Sequence, residues 1–254
     1  MRSYRDDGLV LRQYNLGEAD RIVVLLTRRH GLVRAVAKGV RRQRSRFGAR
    51  LEAFNVSDIE LYPGRNLHTI TDVHILSSFT EDIVSDYARY TAGMALLEAT
   101  ERLVGEEGVS QPALFDLAVG AIGALAAGQR EPQQMLDTFL LRAMGEAGWA
   151  PELAECAMCQ VPGPHHFFHP AAGGMVCSEH RPPGSASLMG GVAEYLIALR
   201  DAQWPTVDIL AHDQNIGKRI QKEAHRLIVA HLQWHTERKI NALSFADEAE
   251  RDSR

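Results

Sequence analysis

Three cysteines and one histidine stand at spacings that suit a metal ion. Cys156-Ala-Met-Cys159 is followed, after 17 intervening residues, by Cys177-Ser-Glu-His180, and all three cysteines of the chain belong to this set. Two ligands three residues apart in a tight turn bring both donor atoms to one ion, and four soft or borderline donors close a tetrahedron. Thiolates must lose their protons to bind, and Zn²⁺ supplies the energy for that. The paired knuckles therefore read as a structural zinc site, one ion per chain, on Cys156, Cys159, Cys177 and His180. His165, His166 and His169 lie between the knuckles and are substitutes for the fourth ligand. Four protein ligands leave no open position, so such a site holds a fold and does not catalyse. A redox Cys-x-x-Cys would normally follow a strand and open a helix, whereas this one sits among Pro and Gly. A zinc deaminase would need H-x-E and P-C-x-x-C; His169-Pro-Ala and Glu155-Cys156 do not supply them. An odd cysteine count also argues against a disulfide framework.

A second cluster is electrostatic. Lys38, Arg41, Arg42, Arg44, Arg46 and Arg50 place six cations in 13 residues, with Phe47 among them and no carboxylate in the segment. Arginines can follow phosphates while an aromatic ring stacks a base, which is how single strands are held without reading sequence. These seven residues are the candidate nucleic-acid contacts. The wider run from Arg21 to Arg50 holds ten basic residues and no acidic one. The net charge of −4 hides this: residues 1–80 carry 14 Lys/Arg against 8 Asp/Glu, and the remainder carries 14 against 24. Such a split points to two regions with different partners.

The elements that must position these residues differ along the chain. Gly8–Arg12, Arg21–Thr27, Leu32–Lys38, Val56–Tyr62 and Leu67–Leu76 are short apolar or alternating runs separated by turn residues, and Pro63-Gly64-Arg65-Asn66 is a hairpin signal. Five strands without intervening helix predict a small closed barrel, an OB-fold first and an SH3-like barrel second. After residue 80 the apolar period becomes helical, as in Tyr87, Tyr90, Met94 and Leu97, or Ile216, Ile220, Leu227 and Ile228. The segment from Cys156 to His180 has no period, is rich in Gly, Pro and His, and is short of apolar residues for a core of its own. The expected architecture is α+β and multidomain: an OB-fold β-barrel over 1–80, an all-α domain over 81–246 with a zinc-knuckle insert at about 151–185, and a disordered tail over 247–254. No stretch approaches the roughly 18 apolar residues of a membrane helix, and the N-terminus has no apolar leader, so no membrane role and a cytoplasmic place are expected.

Gly17-Glu18-Ala19-Asp20-Arg21-Ile22-Val23, Leu25-Leu26-Thr27, His30-Gly31-Leu32-Val33 and Ala37-Lys38-Gly39-Val40-Arg41-Arg42 resemble the RecO family of bacterial recombination mediators. Arg44 to Gly48, Leu51-Glu52-Ala53-Phe54, Glu60-Leu61-Tyr62 and Gly64-Arg65-Asn66-Leu67 continue the resemblance, and Lys239-Ile240-Asn241-Ala242-Leu243-Ser244-Phe245 is similar to the family's terminal element. The resemblance implies an N-terminal OB-fold, a C-terminal helical domain and often a zinc knuckle, commonly with four cysteines where this chain has His180. It implies a mediator of recombinational repair in the RecF pathway, without bond chemistry, acting at the bacterial nucleoid. Such a protein binds single- and double-stranded DNA, anneals complementary strands, and with RecR helps load RecA on strands coated with single-stranded DNA-binding protein (SSB). It also implies contact with the acidic C-terminal tail of SSB, which needs an apolar groove with a basic rim; Arg102, Arg130 and Arg142 are candidates. The rival reading from the residues alone is an RNA-binding OB-fold protein with a structural zinc module, to be separated by competition between RNA and DNA oligomers.

Overall fold

The computed structural model describes residues 2–42, 45 and 47–236. Arg44, Arg46 and everything from residue 237 onward, including the segment expected as a tail, lie outside the described residues.

Five strands close a barrel: β1 (Tyr4–Leu16), β2 (Asp20–Thr27), β3 (Gly31–Ala37), β4 (Asn55–Tyr62) and β5 (His68–Ser78), in the order β1-β2-β3-β5-β4. This is the OB-like barrel expected from the strand pattern. β1 serves two neighbours, β4 through Tyr4–Leu9 and β2 through Gly8–Leu16, with a register shift between Val10 and Arg12. A bulge of that kind bends a strand and lets it pass from one side of a barrel to the other. Only the β3–β5 closure is parallel, at Ala35↔His68 and Val36↔Thr69.

Alternate residues of these strands fill the interior, among them Val23, Leu25, Val33, Ala35, Ile59, Leu61, Ile70 and Val73. The other face of β2 is buried as well: Val24 and Leu26 are both at 0% exposure. The cover comes from α2 (Tyr87–Leu103), which packs on β1, and α3 (Pro112–Ala126), which packs on β2, preceded by the short α1 (Thr80–Val84). A strand buried on both faces reads as a continuous apolar run, which is why Ile22 to Leu26 lacks polar alternation. α2 starts where its N-cap, Asp86, accepts the Arg89 backbone N–H at 2.9 Å.

The described residues form two compact units, the first running through Pro132 and the second starting at Gln133. By compactness the barrel and α1–α3 share the first unit, and residue 80 marks the change from strand to helix within it. In the second unit, α5 (Val192–Arg200), α6 (Trp204–Ala211) and α7 (Gly217–Thr236) pack together. α4 (Pro132–Glu146) buries Leu136, Phe139 and Leu140, and its buried Asp137 meets His225 of α7 at 2.7 Å. Between α4 and α5 lies a three-stranded sheet, β7-β6-β8, of β6 (Phe167–His169), β7 (Gly174–Val176) and β8 (Ala186–Ser187). Leu153, Phe168, Met175, Val176 and Leu188 are buried there, so the insert has a small apolar centre that its composition did not advertise. Among the described residues no helix is long and apolar enough to cross a membrane.

Candidate metal centre and nucleic-acid interface

The cysteine cluster is built by turns around β7. The Gln160 backbone N–H closes on the Cys156 carbonyl at 2.7 Å, and Cys156 N–H donates to Val161 O at 2.9 Å. Gln160 takes φ 61°, a left-handed value that a non-glycine residue adopts at some cost, to complete this turn. Ala157 N–H donates to Met175 O at 2.8 Å, tying the first knuckle to β7, after which Cys177 follows directly. Gly174 makes the approach possible: a Cβ there would fall 2.2 Å from Glu152 O.

The three sulfurs lie within 4.8 Å of one another, with Cys159 Sγ and Cys177 Sγ 3.9 Å apart. A disulfide would need about 2.05 Å, whereas two sulfurs at about 2.3 Å from one tetrahedral zinc stand about 3.8 Å apart. The donor set and its spacing thus fit a metal ion. Cys156 is buried; burial pushes its thiol up, but N–H groups of Cys177, Met158 and Cys159 outweigh that and hold it below the usual thiol range. The Cys177 N–H reaches Cys156 Sγ at 3.3 Å. Burial also raises Cys177, and N–H groups of His180 and Glu179 bring it down further. Backbone donors aimed at the Cys156 and Cys177 sulfurs favour their thiolates, the form that binds metal, whereas at Cys159 the Val161 N–H is outweighed by burial and the two neighbouring sulfurs, which push its thiol up.

His180 stands outside the set of three, but its Nδ1 lies 3.3 Å from Cys177 Sγ. The substitutes are less well placed. His165 Nε2 is engaged with Val161 O at 2.9 Å, and His169 Nδ1 accepts the Ala172 N–H at 3.2 Å. His166 is exposed, and its carbonyl accepts the Leu188 N–H at 2.8 Å.

The basic segment between β3 and β4 has two kinds of residue. Val40, Phe47 and Leu51 point into the barrel core. Phe47 is only 6% exposed, which corrects its assignment as a stacking platform: its ring is committed to the interior and cannot lie against a base. Its neighbours concealed this, because a burial-seeking ring flanked by arginines looks like an exposed one. A 3₁₀ turn at Gly48–Leu51 follows, where Ser45 Oγ accepts the N–H groups of Phe47 and Gly48 at 3.2 and 3.3 Å.

The cations divide as well. Arg21, Arg28, Arg29 and Arg34 find carboxylates outside the run, on Glu52, Asp116, Asp6 and Glu107. Lys38, Arg41, Arg42 and Arg50 are exposed, and among the described residues none forms an ion pair with a carboxylate. Arg50 donates to Val73 O at 3.1 Å. Arg41 is fixed to the β1–β2 turn, its N–H donating to Ala19 O at 3.0 Å and its Nη1 to Gly17 O at 3.1 Å. Asp20 Oδ1 accepts the Gly39 N–H at 2.7 Å from the same turn. Four candidate contacts therefore sit on one segment, which Gly39 and Arg41 tie to the β1–β2 loop, an OB-fold position used for oligonucleotides, and Arg50 ties to β5.

Of the cations considered for an SSB-tail rim, Arg102 lies 3.6 Å from Glu98 of its own helix and Arg142 donates to Arg200 O at 2.8 Å. Neither they nor Arg130 line the larger groove of the first unit. That groove, of about 610 Å³, runs between β1 and α2 and is floored by Tyr14, Phe54, Tyr90 and Met94. No sequence pattern announces it, because its aromatic residues come from distant segments.

Two family models match the chain: "Recombination protein O N terminal" over residues 1–79 and "Recombination protein O C terminal" over residues 84–244.

Proposed function

The chain belongs to the RecO family of recombination and repair proteins, and from that premise we propose that its barrel holds DNA strands through the unpaired cations of the β3–β4 segment and brings complementary strands together. One observation carries this reading: Lys38, Arg41, Arg42 and Arg50 form no ion pair with a carboxylate among the described residues, while Arg21, Arg28, Arg29 and Arg34 of the same basic run do. Exposed cations left over after internal pairing are available to phosphates. Two complementary strands repel through their backbones, and a surface that neutralises part of that charge lowers the barrier to annealing without reading bases.

The same reading makes the protein a non-enzymatic mediator of the RecF pathway at the nucleoid. It binds single- and double-stranded DNA, contacts the acidic tail of SSB, and with RecR helps RecA load on SSB-coated strands. Zinc is the proposed metal, one ion per chain. Cys156, Cys159 and Cys177 would hold it, with His180 as fourth ligand through the Nδ1 that stands beside Cys177. An ion so enclosed fixes the insert and supplies no open position for a substrate.

The test is strand annealing on complementary oligonucleotides coated with SSB. The protein should accelerate pairing, and Arg41→Ala/Arg42→Ala should slow it. Naked and coated strands that pair no faster with the protein than without it would refute the reading.

A further inference from the structure

The groove between β1 and α2 lies next to the proposed phosphate-binding cations and has a different chemistry. Tyr14 and Tyr90 are 38% and 40% exposed within it, an unusual state for two rings on one apolar floor. Arg12 stands 5.5 Å from the centre of the Tyr14 ring and holds it in place while pairing with Glu101 at 2.7 Å. Tyr90 and Phe54 meet in a T-shaped pair, ring centres 6.3 Å apart. Both cations lining the groove are already compensated, Arg12 by Glu101 and Arg21 by Glu52 at 3.8 Å. Its walls therefore offer aromatic faces and no spare positive charge.

The spare charge is at one end. Asn15 lines the groove, and Gly17, two residues further, accepts the hydrogen bond from Arg41 Nη1. Two residues of extended chain span at most about 7 Å, so the Arg41 guanidinium, hydrogen-bonded there to the Gly17 carbonyl, lies close to that end of the groove. Arg42 follows directly on the same segment.

We propose that this groove takes unstacked bases of a single strand on Tyr14 and Tyr90 while Arg41 and Arg42 hold the adjoining phosphates. The inference rests on the reading of the β3–β4 segment as the DNA contact. Charge separates the occupants: an acidic peptide needs cations inside its groove, whereas nucleobases are neutral and stack on any aromatic face. Arginines paired with carboxylates within, and at the mouth arginines with no carboxylate partner among the described residues, match a strand whose charge lies outside its bases.

The experiment measures binding of full-length protein to a thymidine oligonucleotide and to an abasic strand of equal length and charge. Wild type should bind the thymidine strand about tenfold or more tightly than the abasic one. Tyr14→Leu/Tyr90→Leu should lose that preference with an unchanged salt slope, and Tyr14→Phe/Tyr90→Phe should keep it. Equal wild-type affinity for both strands overturns the proposal without any variant. A Leu pair that binds thymidine like wild type, while Arg41→Ala/Arg42→Ala binds more weakly, overturns the groove and leaves the cation reading intact. Wild type that binds neither strand overturns both. A Leu pair that loses only an acidic, apolar-ended peptide assigns the groove to protein docking and also overturns the proposal.

Discussion

The basic segment and the cysteine knuckles are both turn-rich stretches carrying the chain's most distinctive residues, yet they relate to the core in opposite ways. Between β3 and β4, Val40, Phe47 and Leu51 enter a barrel core of strand residues, and Lys38, Arg41, Arg42 and Arg50 remain outside. At the knuckles one of the reactive groups itself turns inward: Cys156 is fully buried and its sulfur accepts a backbone N–H from Cys177, while Cys177 is half-buried and Cys159 exposed. In the first region the proposed function is laid on a fold that stands without it. In the second, the candidate site is part of what the local fold is made of. Damage to the two should therefore read out differently, as lost affinity in one and lost stability in the other.

The largest effect falls on the knuckles. Structural zinc contributes about 10–16 kcal/mol in finger peptides, and the small apolar centre around Phe168 and Met175 cannot replace that. Purified protein should contain about one equivalent of zinc. Cys177→Ser, or a strong chelator, should remove it and lower the melting temperature by many degrees, while oligonucleotide affinity of the still-folded barrel changes little. Zinc-free protein with unaltered melting would erase the contrast between the regions.

Phe47→Ala is next, because it asks whether the basic segment has a core half at all. Deleting a buried phenyl ring costs about 3–5 kcal/mol, which denaturant unfolding would register as a lower midpoint at constant slope. A ring that served only to stack bases would leave unfolding untouched and reduce binding alone.

A smaller effect concerns the barrel's one buried carboxylate outside the hydrophobic pattern. Asp6 is 1% exposed; burial raises its pKa, but His30 at 2.5 Å and the Arg29 backbone and side chain outweigh this and leave it below the ordinary 3.8. A carboxyl depressed in the folded state contributes stability that is complete above its unfolded value and is lost as pH falls through the folded one. Acid unfolding should therefore steepen below about pH 4. Asp6→Asn should flatten that limb and cost about 1–3 kcal/mol at neutral pH, since it leaves the Arg29 and His30 donors less well matched.

These sites also mark what the sequence made legible. β2, β3 and β4 stood out because their inward positions alternate or run apolar, as Val33, Ala35 and Ala37 do. β1 was read short, as Gly8–Arg12, because both its ends are polar: Asp6 is buried through an ion pair that no hydrophobic period reports, and the half-buried Gln13 accepts a hydrogen bond from Arg21 Nη1 at 2.9 Å. Cysteine spacing announced the metal set, since ligand geometry is local. The fate of His165 and His169 was not local, depending on which carbonyl or N–H each ring met in the folded turn. Phe47 was misread for the same reason: the core cluster it joins is built by residues distant in sequence, Val23, Ile59 and Val73 among them. Nor did the helical period of α2 tell which face would meet β1.

The smallest effect on stability should be the largest on DNA. Arg41 and Arg42 are exposed and outside the core; replacing both by Ala removes two charges and, for Arg41, one hydrogen bond to the Gly17 carbonyl. Exposed substitutions of this kind usually stay within about 0.5 kcal/mol, so melting should be nearly unchanged. Each phosphate contact on a single strand contributes about −0.7 to the slope of log affinity against log salt. The double variant should therefore flatten that slope by about 1.4 and weaken different sequences alike. Annealing of SSB-coated strands should fall in parallel, since neutralised backbone charge governs both. A salt titration of oligonucleotide binding checks this directly. An unchanged slope with unchanged annealing would make the segment a solvated charge run and move the DNA path elsewhere. A flattened slope accompanied by a melting loss comparable to that of Phe47→Ala would instead show that cations and core are not separable here, and the contrast with the knuckles would fail on the barrel side.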